Sequence, residues 1–183
     1  MKQIIRLHVP CDIQFTRLVE DFMQSAMVHV YPDNDQARNK LCAVMNEVFV
    51  NIVKHSDTAK IDELVRFQIE IGAKSFLLSI FDHGPGIAID GKLPPYSKSL
   101  LGERREFRKV LDGSVYMTVV NPYSLSFHFE PDESDDFDRL TELDVLDGHG
   151  FGISIVTKVM DSLSYSYIGE GKFDWQMIKN LEE

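Results

Sequence analysis

Three short blocks, met in order along 183 residues, constrain this chain more than anything else in it: Glu47-x3-Asn51-x3-His55, then Asp82-His83-Gly84-Pro85-Gly86-Ile87, then Gly148-His149-Gly150-Phe151-Gly152. The first lies in a strongly helical stretch. A spacing of four advances about 400° around a helix, so its three side chains share one face. That face carries a carboxylate able to act as a general base, an amide oxygen able to ligate a hard cation, and an imidazole. The other two blocks are glycine-rich turns, where backbone N–H groups can approach phosphates with no Cβ in the way.

The surrounding pattern says what these blocks are mounted on. Residues 3–9 alternate as a strand does, and residues 14–30 place Phe15, Leu18, Val19, Phe22, Met23, Ala26 and Met27 at helical spacing. Tyr31-Pro32-Asp33-Asn34 breaks that helix and offers Asp33 or Asn34 as the cap of a second one, which runs to Lys54 or His55. Its Leu41, Val44, Met45, Val48 and Ile52 form a face suited to packing on a sheet. Residues 64–71 and 76–81 predict an antiparallel hairpin, and the Asp82 block follows its second strand at once. Residues 100–111 read as a short helix carrying Arg104, Arg105, Arg108 and Lys109, and residues 115–120 and 125–129 as two strands around Asn121-Pro122. The third block opens a helix through about Met160, and residues 163–168 and 173–178 form a final hairpin across Gly169-Glu170-Gly171. The expected architecture is α/β, a two-layer α+β sandwich whose mixed, mostly antiparallel sheet has helices on one face.

Composition narrows the class. A hydrophobic fraction of 44% and a charged fraction of 26% suit an ordinary globular domain. No apolar run approaches the roughly 18 residues of a membrane span, and the N-terminus does not read as a signal peptide. Cys11 and Cys42 make neither a C-x-x-C pair nor a disulfide framework, so they read as reduced thiols and the expected location is cytoplasmic. The formal net charge is −10, but residues 130–147 hold nine acidic side chains against Arg139 alone, which leaves only −2 for the remainder. With no extensive basic surface, nucleic acid is not an expected partner, and neither is a membrane. The six histidines form no metal-binding cluster.

Taken together, the blocks resemble those of the GHKL superfamily of histidine-kinase-like ATPases, most closely the anti-sigma-factor serine/threonine kinases of bacterial partner-switching systems. In that family E-x3-N-x3-H is the N box, D-x-G-x-G-I the G1 box, and G-x-G-x-G before a helix the G2 box. The likeness is loose over residues 1–120 and good from residue 148 to the end. It implies one histidine-kinase-like ATPase domain over residues 1–183 with the Bergerat ATP-binding fold. Residues 88–147, about twice the expected span between the glycine boxes, would be an enlarged lid or insertion containing a helix and a hairpin.

Roles carry over position by position. Glu47 matches the general base, Asn51 the magnesium ligand, and Asp82 the carboxylate that accepts from the adenine amino group. Gly84, Gly86 and Ile87 would pass beneath the base and start the lid. Gly148, Gly150, Phe151 and Gly152 would set N–H groups of a helix start against phosphates. Lys54 and His55 are candidates for phosphate contact, although His55 equally suits a helix C-terminus and Lys54 a solvated surface. Gly171 is followed by Lys172, where many relatives have threonine on the adenine side. The implied cofactors are ATP and Mg2+. The implied activity is ATP-dependent protein serine/threonine kinase, acting as an anti-sigma factor or related partner-switch regulator. It would phosphorylate a STAS-domain antagonist, could sequester a sigma factor, and could form a homodimer. Two alternatives stay open: a non-catalytic ATP-binding regulatory module, and a histidine-kinase catalytic domain acting in trans.

Overall fold

A computed structural model describes residues 3–110, 112–132 and 152–181. Within them the elements run β1 (Gln3–Pro10), α1 (Thr16–Met27), α2 (Asp35–His55), β2 (Leu64–Ile71), β3 (Ser75–Asp82), β4 (Arg104–Val110), β5 (Gly113–Asn121), β6 (Ser124–Pro131), α3 (Gly152–Val159), β7 (Ser162–Gly169) and β8 (Lys172–Asn180). The strands form one sheet in the order β1-β2-β3-β8-β7-β6-β5-β4. Every pairing is antiparallel, so the sheet expected to be mixed has no parallel neighbours among the described strands.

Alternation along the strands makes two unlike faces. Following the register, Leu7, Phe67, Ile80, Trp175, Tyr165 and Leu125 line up across the sheet on the helix side. Gln68, Ser79, Gln176, Ser164 and Ser126 line up on the other. Helix α2 lies on the apolar face and buries Leu41, Val44, Met45, Val48 and Ile52, the positions its 3–4 spacing marks. Its Phe49 ring meets Phe67 of β2 at 5.9 Å. Both are fully buried, and truncating either to alanine would cost about 3–5 kcal/mol. Asn34 starts the helix, its Oδ1 accepting from the Ala37 N–H at 2.9 Å. Among the described residues no helix is long and apolar enough to cross a membrane. Both cysteines are free.

One element differs in kind. Residues 100–111 were expected as a helix, but residues 104–110 are strand β4, the sheet's edge. Gly102, at φ +77°, stops any helix there, and its N–H bonds the Val119 carbonyl instead. The inward residues of β5, Val115 and Met117, need cover, and tertiary pairing overrides the helix propensity of an Arg- and Glu-rich run. The same charges suit an edge strand, because they discourage further strand addition. Residues 115–120 and 125–129 fall within the β5–β6 hairpin as expected, and the three strands β4–β6 extend the sheet beyond β7.

Candidate functional site

Glu47, Asn51 and His55 do share a face of α2: Asn51 Nδ2 donates to Glu47 Oε1 at 3.4 Å. That donation leaves Asn51 Oδ1 as an acceptor directed elsewhere. The helix ends at His55, and the chain beyond it is fastened to the Asp82 turn. Asp57 N–H donates to the His83 carbonyl at 2.5 Å, and His83 N–H donates to Thr58 Oγ1 at 2.8 Å. Thr58, fully buried, accepts that bond and takes another from Ser56 Oγ at 3.0 Å. Two blocks far apart in sequence are thereby set at a fixed separation. Thr58 has no signature in the sequence, since one threonine in a polar loop carries no periodic signal.

Between α2, α3, the Asp82 turn and the sheet lies a cavity of 280 Å³, close to the lower size of small-molecule sites. Of the expected site residues, Asn51, His55, Asp82, Gly84, Gly86 and Ile87 line it. Glu47 stands one turn behind Asn51 and is not part of the lining, and neither is the exposed Lys54. Gly152 begins α3, whose Ile153 and Val156 close one wall. Gly148, Gly150 and Phe151 lie outside the described residues, as do residues 133–147 of the acidic run.

Asp82 ends β3 pointing to the helix side and is only 6% exposed. Its Oδ1 is buried with no hydrogen-bond partner among the described residues. Burial without compensation pushes its carboxyl up to about 7. An orphaned buried acceptor is costly in a finished fold and reads as a place for a ligand's donor. Tyr165 stands over the same turn: a Cβ on Gly84 would lie 3.7 Å from both Asp82 Oδ2 and Tyr165 Oη. Burial first, then the nearby Asp82 charge, raises the Tyr165 phenol and keeps it protonated.

The two glycines of the turn are not equivalent. Gly84 has ordinary space for a side chain. Gly86 has φ +79°, and a Cβ there would meet Leu93 Cδ2 and Phe173 Cζ, each at 2.9 Å. Only glycine fits. The Ile87 carbonyl then accepts from Tyr96 Oη at 2.8 Å, which directs the chain along the cavity rim.

The far walls were not anticipated. Trp175 and Tyr165, whose rings are 4.3 Å apart, form the sheet side. Phe107 and Arg108 of β4 complete the lining. Alternation in β7 and β8 points Tyr165 and Trp175 inward, but only the tertiary structure brings them to the cavity that Asp82 lines. Lys172, at the position where many relatives have threonine, does not line the cavity and pairs with Glu170 at 3.3 Å.

This donor set suits a planar heterocycle with an amino group at the Asp82 end and oxygens near Asn51. The buried unpaired acceptor and the Gly86 turn both fit such a group, and no cluster of three His, Cys, Asp or Glu among the described residues competes as a metal centre. A single amide ligand is consistent with a magnesium ion held mainly by ligand phosphates and water. No curated protein matches the chain. The model of the histidine kinase-like ATPase domain family matches residues 12–178, and the chain belongs to that family, with the ATP binding that its domain implies.

Proposed function

We propose that this protein is an ATP-dependent protein serine/threonine kinase of the partner-switching kind, acting on a STAS-domain antagonist. The observation that carries the reading is the buried carboxyl of Asp82, its Oδ1 without a hydrogen-bond partner among the described residues, on the lining of a cavity that also receives Asn51. In this reading adenine donates its amino N–H to Asp82, the acceptor a guanine carbonyl could not use. Asn51 Oδ1 is the protein's ligand to Mg2+, which supplies charge compensation on the phosphates when bound. Glu47, held against Asn51, accepts the proton of an incoming serine hydroxyl or water. His55, at the helix end and on the cavity, lies on the phosphate side; Lys54 serves as a solvated surface charge. The glycine block Gly148, Gly150, Phe151 and Gly152, which in sequence leads into α3, is assigned to the phosphates in this reading.

Phosphoryl transfer depends chiefly on positioning and electrostatics, so a preset Glu47–Asn51 pair supports catalysis. The test is whether purified protein moves the γ-phosphate of ATP to a serine of a STAS-domain protein encoded beside it. Hydrolysis without transfer would leave an ATPase.

A second reading, an ATP-holding regulatory module without transfer, is favoured by one observation: Glu47 is not in the cavity lining. Loss of ATP turnover with retained ATP-dependent partner binding would select it.

A further inference from the structure

Strand β4 is four places from β8 in the sheet, about 19 Å if the sheet were flat at about 4.8 Å per strand. Yet Phe107 of β4 meets the Phe127 ring at 5.2 Å, and Phe127 meets Trp175 of β8 at 6.1 Å. The sheet therefore coils until its outer edge faces the cavity, as strongly twisted sheets do.

A local irregularity then aims two side chains inward. Glu106 pairs with Tyr116 and Arg108 with Val115, so Phe107 is an extra residue between them. A bulge of this sort lets two successive side chains leave the strand on one side. Both Phe107 and Arg108 consequently reach the cavity lining. Lys109, opposite Ser114, returns to the other face, where Ser114 Oγ donates to Glu106.

Charge gives the bulge a purpose. Among the described lining residues Arg108 is the one permanently cationic side chain, in a wall otherwise made of apolar groups, hydroxyls, an imidazole, the Asn51 amide and the Asp82 carboxylate. A guanidinium offers a planar fork of N–H donors matched to phosphate oxygens.

We propose that Arg108 is a nucleotide-binding residue supplied by the β4–β6 extension, and that it engages the polyphosphate of the bound nucleotide rather than its base. The proposal rests on the ATP-site reading above. It assigns the extension a direct part in ligand binding and makes the edge strand a second wall of the site.

The test compares MgATP with adenosine by calorimetry on the full chain at fixed ionic strength. Arg108→Gln, and Arg108→Met as a second variant that keeps the aliphatic stem, should each lose roughly 10- to 100-fold in MgATP affinity. Adenosine affinity should stay within about twofold, Arg108→Lys should recover part of the loss, and Lys109→Gln should match wild type. MgATP affinity within about twofold of wild type in both neutral variants would overturn the proposal, as would equal losses for adenosine. Wild type that binds adenosine, with no preference for MgATP, overturns the Arg108 role while sparing the base site. Wild type that binds neither ligand refutes the site reading itself and the proposal with it.

Discussion

Arg105 clasps Asp90 through two parallel contacts, Nη1 to Oδ1 at 2.7 Å and Nη2 to Oδ2 at 3.0 Å, while its Nε donates to Glu103 Oε1 at 2.7 Å. The pair fastens the turn that follows the Gly86 segment to the strand that carries Phe107 and Arg108. It joins two walls of one cavity. Arg105 holds the Asp90 carboxyl below its ordinary value, so this tie is present at neutral pH and is lost as pH falls through that depressed value.

Arg105→Gln should release the edge strand without unfolding the domain, since the groups are solvent-accessible and screened. Amide exchange along residues 104–110 should quicken several-fold while protection in β3 and β8 is kept. Unchanged exchange at those amides would show that backbone pairing alone holds β4.

Asp82→Asn should separate affinity from stability. The substitution removes the charged acceptor and places an amide donor beside the base, so ATP should bind roughly 10- to 100-fold more weakly. Trp175 lines the cavity and is the chain's single tryptophan, so quenching of its fluorescence reports the binding. Unliganded stability should respond with the opposite sign. With the folded carboxyl at about 7 and its ordinary value 3.8, the folded state holds one more proton between those values. Stability of the wild type therefore falls as pH rises through that window, by up to about 1.4 kcal/mol per pH unit, and levels off above it. Asp82→Asn should flatten that slope and be the more stable protein at pH 8. Parallel pH profiles for the two proteins, by urea titration, would remove Asp82 as the buried titrating group.

Glu47 and Asn51 should part kinetically. Asn51→Ala should weaken magnesium-dependent nucleotide binding along with turnover. Glu47→Gln keeps a partner for Asn51 and should leave binding near wild type while slowing turnover roughly 10²–10⁴-fold. If the two changes affect binding equally, with no separate loss of turnover, Glu47 is a support for Asn51 only.

Gly86→Ala should destabilise the fold by about 1–3 kcal/mol, because the backbone there is left-handed and the new methyl meets Leu93 and Phe173. Gly84→Ala should cost less, having ordinary room. Chemical denaturation of both variants checks the ranking, and equal costs would contradict it.

Periodicity alone located α1, α2, the β2–β3 hairpin and the β7–β8 hairpin to within a few residues, because each has a long enough run of one period to outweigh local noise. The shared face of Glu47 and Asn51 was equally legible, since helical spacing is a local property. Residues 100–111 depart from their helical pattern for the complementary reason. Their charged, helix-favouring composition is local, whereas the demand of β5 for an edge partner is not.

Local order along the chain suffices for the helix that presents Glu47, Asn51 and His55, for the strand end that carries Asp82, and for the glycine that allows the Gly86 turn. Each depends on spacing, alternation or backbone freedom within a few residues. Folding at long range sets the rest: Thr58 ties α2 to the Asp82 turn, Asp82 Oδ1 has no hydrogen-bond partner among the described residues, and a coiled sheet brings Phe107 and Arg108 to the same cavity. Those outcomes come from register, from a one-residue bulge, and from burial by distant elements, none of which has a signature in the order of residues along one segment.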